Sequence, residues 1–175
     1  MTPASLIAAR GLDPLNTPPD SIALAVAVPE TVQLADGDAI LRLALATEPE
    51  GDSFAVDETV PLRLSSSDDD LPEAQTGQTI YLARLGPEEA ERIAEAQAQI
   101  TALRAAGPTG QGSLTVAVTG GCLLGPVPAS LPVSTWLQTD PGAGFVQLTR
   151  QRDMFRVLDP ADAAALRAGL LPCGT

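Results

Sequence analysis

The chain's main stock of reactive groups is its 22 Asp and Glu side chains, because it has no His and its 10 cationic residues are all Arg. Without imidazole, neither a Ser-His-Asp nor a Cys-His nucleophile can be assembled, and no His-bearing metal centre can form. Without Lys there is no Schiff-base nucleophile and no phosphate-binding loop of the GxxxxGK[ST] kind. What remains is carboxylate chemistry, in which two acids set a few ångströms apart serve as proton donor and base or nucleophile. The acids fall in stretches that read as loops or as the outer face of a helix. Only Phe54, Tyr81, Trp136, Phe145 and Phe155 offer rings on which a sugar could stack. A carboxylate-only hydrolase therefore ranks third among the functional readings, and no catalytic residue is assigned.

The densest acidic group is Asp68, Asp69 and Asp70, with Asp52, Asp57 and Glu73 nearby in the chain. Carboxylate oxygens suit calcium, but this spacing departs from the D-x-[DN]-x-[DN]-G loop. Three adjacent Asp are by default a solvated, self-repelling loop, so they stand as weak calcium candidates only. No other metal and no cofactor is expected. Gly120, Gly121, Gly125, Gly142 and Gly144 nowhere make GxGxxG between a strand and a helix, and they read as turns. Trp136 and Tyr81 are single large rings on strand-like segments. Each is a candidate surface anchor for a partner, with filling the core as the ordinary alternative.

Cys122 and Cys173 belong to no CxxC pair or metal-ligand spacing. Gly and Pro flank both, as at loop or terminal cysteines. A single disulfide between them is expected, the alternative being two unrelated thiols. A disulfide would favour an exported location, since cytosolic reductants remove most such bonds. The formal net charge of -12 argues against nucleic acid, whose phosphates need Lys and Arg, and against anionic lipid surfaces for the same reason. No segment is apolar for long enough to span a bilayer, and the first residues lack a basic start followed by an apolar stretch. The expected compartment is the periplasm or cell envelope if an export signal preceded Met1, and the cytoplasm otherwise.

The elements that must position these groups are mostly strands. Residues 1–20, rich in Pro, Asn, Thr and Asp, read as an extended leader, and 21–175 as one domain. Ile22, Leu24, Val26 and Val28 alternate with alanines up to Pro29, the period of a half-buried strand. AILRLALAT repeats the pattern after the turn Ala35 to Asp38. FAVDETVPLRL continues it through residues 54–64, with Pro61 demanding an edge or a bulge. QTIYLARL, SLTVAVT and LPVSTWLQT follow, and two further short strands are expected around FVQLTR and MFRVL. Between 87 and 106 the period changes: Ala90, Ile93, Ala96 or Gln97, Ile100 and Leu103 recur every three or four residues. Pro87 opens this helix, Glu88 and Glu89 suit its positive end, and Gly107 stops it. DPADAAALRAG reads as a short terminal helix with Asp159 as its cap. The pattern predicts a mainly β protein, a β-sandwich of Ig-like architecture, with one long amphipathic helix inserted between strands and a short C-terminal helix.

The order of features resembles that of small, uncharacterised bacterial envelope domains, often lipoproteins. The matching pieces are LDPLNTPPDSIALAVAVPE, YLARLGPEEAERIAEAQAQI, the GSLTVAV strand with Cys122 just after it, and GFVQLTR. This resemblance implies a fold and a compartment but no activity and no site residues. The first functional reading is a non-catalytic exported accessory or adapter domain that works on another protein through its β-surface. The second is a carrier or sensor holding a small apolar ligand under Ile93, Ile100 and Leu103, or calcium.

Overall fold

The structure is a computed structural model and describes residues 16–46, 54–66, 70–107, 111–140, 142 and 144–174. Along the chain run β1 (Ala23–Pro29), β2 (Val32–Gln33), β3 (Ala39–Ala46), β4 (Phe54–Pro61), β5 (Arg63–Ser65) and β6 (Gln78–Arg84). Then come α1 (Pro87–Ala106), β7 (Gln111–Val118), β8 (Cys122–Leu123), β9 (Pro132–Gln138), β10 (Val146–Asp153), α2 (Met154–Val157), α3 (Pro160–Gly169) and β11 (Leu171–Pro172). The protein is mainly β, in the class of the β-sandwiches, with a helix between strands and a short C-terminal helix.

The strands form a five-stranded sheet, β10-β9-β1-β6-β5, a three-stranded sheet, β4-β3-β7, and a small sheet, β11-β8-β2. Their aliphatic alternation explains how the two larger sheets share a core. Leu24, Val26 and Val28 of β1 join Leu41, Leu43 and Leu45 of β3, Val56 and Val60 of β4, and Val133 and Leu137 of β9 in a single buried cluster. Fully burying one such side chain stabilises a fold by roughly 1.5–3 kcal/mol, so an almost purely aliphatic core suffices. β1 is central to the larger sheet and is buried on both faces, with only Pro29 part exposed. Its small face of Ala23, Ala25 and Ala27 is covered by neighbours rather than by layered packing.

α1 begins at Pro87 and ends before Gly107, where the helix expected from sequence begins and ends. It packs along β4 and onto the 3₁₀ turn Pro19–Ser21, burying Ile93, Ala96 and Ile100. Gln97 is also buried, because its Nε2 donates to the Thr17 carbonyl oxygen at 2.9 Å. Leu103, expected on the apolar stripe, is instead 41% exposed. It lies in the last turn, where residues 101–107 are all exposed. Of the predicted leader, residues 16–20 are described and run into that 3₁₀ turn. The remainder lies outside the described residues.

The run 54–64 is not one strand. β4 is an edge of the three-stranded sheet, as Pro61 requires. After Leu62, whose N–H donates to the Ala39 carbonyl at 2.9 Å, β5 joins the other sheet. The MFRVL segment is a single helical turn rather than a strand. Asp153 Oδ1 accepts from the N–H groups of Phe155 at 3.1 Å and Leu131 at 3.0 Å. That cap turns the chain out of β10 and lets Met154 and Phe155 enter the core together.

The disulfide exists. Cys122 and Cys173 are bonded, with their Cα atoms 4.9 Å apart. The bond fastens β11 alongside β8 in a parallel pair of two residues. Gly121, at φ +143°, brings the chain close to β2: a Cβ there would lie 3.1 Å from the Gln33 carbonyl oxygen.

Candidate binding cleft

The outer face of the five-stranded sheet carries a cleft whose floor is set by cross-strand register. Ala25 of β1 lies opposite Leu82 of β6 on one side and Trp136 of β9 on the other. One row along, Ala23 lies opposite Arg84 and Gln138. Opposed residues share a face of an antiparallel sheet, so an apolar row and a polar row sit side by side. The alanines are too short to reach the surface, and Ala25 is wholly buried between its neighbours. A central strand of larger residues would have raised this face. With alanine it stays low, and Arg84, Trp136 and Gln138 are the more exposed side chains beside it, Leu82 being 7% exposed.

Walls rise on both sides. Asp20 and Ser21 come from the 3₁₀ turn, Asp70, Leu71 and Pro72 from the segment before β6, and Gly142, Gly144 and Phe145 from the β9–β10 connection. Asp140 Oδ1 accepts from the Gly142 N–H at 2.9 Å and shapes that connection. The cleft is half open to solvent, with a volume of about 660 Å³. Trp136 is half-buried and lines the cleft. Arg84 is exposed, and no described carboxylate lies within ion-pair distance of it. Its cross-strand neighbour on the far side is Arg63 of β5, so that side supplies like charge rather than a counter-ion.

The other candidates fall elsewhere. Tyr81, a candidate surface anchor, is a core residue at 8% exposure. It lies opposite Val26 on the inner face, and its hydroxyl oxygen accepts from the Leu34 N–H at 3.3 Å. Ile93 and Ile100 are packed in the core. Of the calcium candidates, Asp70 lines the cleft, whereas Asp68 and Asp69 lie outside the described residues. Among the described residues no group of three or more His, Cys, Asp or Glu is placed to hold a metal ion.

Asp57 stands on the outer face of the other sheet and holds Arg42 in a two-pronged pair, Nε to Oδ1 at 2.7 Å and Nη2 to Oδ2 at 2.8 Å. The Arg42 hydrogen bond lowers the Asp57 carboxyl below its ordinary value, and Asp57 in turn raises the guanidinium. Arg42 also lies 4.7 Å above the Phe54 ring.

Sequence reasoning named Trp136 and Asp70 as candidates and Phe145 only among the chain's few rings, but not Leu82, Arg84, Gln138 or Asp20. The available signal was the run of alanines at every second position of β1, which marks a sheet face that nothing large fills. Among the described residues, no helix is long and apolar enough to cross a membrane. Compared with known proteins, the chain matches no family model, no curated protein and no solved structure.

Proposed function

We propose that this is a non-catalytic accessory domain of the bacterial envelope that binds an extended segment of another protein in the cleft over β1. The observation that carries this reading is the adjacency of the two rows. Leu82 and Trp136 offer an apolar seat, and one same-face step away, about 7 Å along the strands, Arg84 offers a cation that no described carboxylate pairs, in a cleft that Asp20 and Asp70 also line. An apolar centre with a polar rim is the composition of a protein interface. The chemistry it fits is a segment bearing an apolar or aromatic side chain with a carboxylate about one such step away. Trp and Arg are also the residue types most often found to dominate binding energy. The Cys122–Cys173 bond supports an oxidising compartment, where such bonds persist.

The test is an array of short peptides that vary apolar and acidic positions independently, probed with the wild-type chain and with Arg84→Glu and Trp136→Ala. Peptides carrying both features should bind the wild type. The Arg84 variant should lose the preference for acid, and the Trp136 variant should lose binding altogether. Binding that is indifferent to both substitutions would refute the assignment. Asp20 and Asp70 line the same cleft, which favours hydrolysis by carboxylates alone as a second reading. Turnover of an oligosaccharide that stops in both Asp20→Asn and Asp70→Asn would support it over the first.

A further inference from the structure

Arg42, Arg92 and Arg156 each pair with an acid on this chain. Asp20 and Arg84 line one cleft and pair neither with each other nor, among the described residues, with anything else. The Asp20 carboxylate also accepts no capping hydrogen bond from its own turn. Both side chains are exposed. The cleft therefore offers a ligand one charge of each sign.

The turn that carries Asp20 is fixed from both sides. Pro19 opens it, the Ser21 N–H donates to the Pro18 carbonyl oxygen at 2.9 Å, and the Ile22 N–H donates to that of Pro19 at 3.2 Å. Ile22 is buried just after the turn, and Gln97 of α1 holds the Thr17 carbonyl just before it. A wall already in place spares a ligand the cost of ordering it.

The signs of the lining charges say what the ligand must carry. A segment bearing only a carboxylate is attracted by Arg84 but repelled by Asp20 and Asp70 in the same cleft. A cation on that segment turns the repulsion into attraction. At longer range the chain as a whole, at -12, draws cations in and holds anions off. Taking the cleft as the seat of an extended protein segment, on which this step rests, we infer that the segment is of mixed charge. Beside its apolar side chain and its carboxylate it carries a Lys or Arg that meets Asp20, and its parent protein is basic overall.

The test scans Lys through the positions flanking the apolar and acidic residues of a short peptide, with Gln at the same position as reference, and reads affinity from Trp136 emission at low ionic strength. An exposed ion pair is modest, so the best Lys peptide should bind the wild-type chain about two- to five-fold tighter than its Gln counterpart. The ratio should fall to about one in Asp20→Asn, whose melting temperature should match wild type because the side chain caps nothing. It should also fall to about one for the wild type in about 1 M salt, where charges are screened beyond about 3 Å. Lys and Gln peptides that bind the wild type equally at every position, or a Lys preference undiminished in Asp20→Asn, would overturn the mixed-charge inference and leave the peptide-binding assignment standing. Failure of every peptide to bind would overturn both.

Discussion

Replacing Cys122 and Cys173 by Ser should lower the melting temperature by about 11 °C. The bond closes a loop with a sequence separation of 51 residues. In the chain-entropy model, opening such a loop frees the unfolded chain by about 14 cal/mol/K, which is about 4 kcal/mol at 25 °C. Unfolding entropy near the transition is about 2.1 cal/mol/K per residue, or roughly 0.37 kcal/mol/K for 175 residues. The quotient of the two gives the temperature shift. Little else replaces the bond, since β11 is a two-residue strand and Leu171 is 60% exposed. The assay is thermal unfolding followed by far-UV circular dichroism, comparing the double Ser chain with reduced and oxidised wild type. Reduced wild type should melt with the double Ser chain, and the cleft should stay intact in both, because β8 and β11 contribute nothing to its lining. A fall of less than about 3 °C would refute the reasoning, for the bond would then hold no loop that the unfolded chain is free to open.

Ala25→Leu should cost about 1–3 kcal/mol by overpacking the space between Leu82 and Trp136, and it should push the indole outward, seen as a red-shifted emission maximum. Tyr81→Phe removes the acceptor of a buried backbone N–H and should cost about 1 kcal/mol in urea unfolding with an unchanged slope, leaving binding in the cleft untouched. Asp57→Asn should flatten the acid limb of the stability profile. The folded carboxyl lies below its unfolded value, so its contribution is complete above about pH 4 and is lost as pH falls through the folded value. Both partners are partly exposed to solvent, so the loss should be under about 1 kcal/mol, read as the difference in urea midpoint between neutral and acid pH.

The fold was legible where periodicity ran long enough to measure. α1 shows a three-and-four spacing over 20 residues, with Pro87 as its first residue and Gly107 behind. β1 and β3 are plain because an aliphatic face alternates with alanine or with Arg42. Shorter segments carry no period. β2, β8 and β11 are two residues each, and partners far along the chain hold them in place. MFRVL could alternate as a strand or coil as one turn, and the Asp153 cap decides between them. The run 54–64 reads as continuous because moving from one sheet to the other at Leu62 leaves its alternation intact. The cleft was less legible still. Leu82, Arg84, Trp136 and Gln138 meet only because β6 and β9 flank β1, and strand order is absent from any local pattern. Tyr81 and Leu82 are adjacent in sequence yet point to opposite faces, so which ring is wet follows from register alone.

Trp136 is the chain's sole tryptophan, and it lines the cleft, so its fluorescence reports on this site and no other. Titrating the oxidised chain with a short peptide bearing an aromatic residue and a carboxylate one same-face step apart tests the assignment most directly. The expected result is a saturable change in emission that disappears in Arg84→Glu and survives in Tyr81→Phe. Emission that stays flat while the peptide binds, or an identical response in Arg84→Glu, would contradict it.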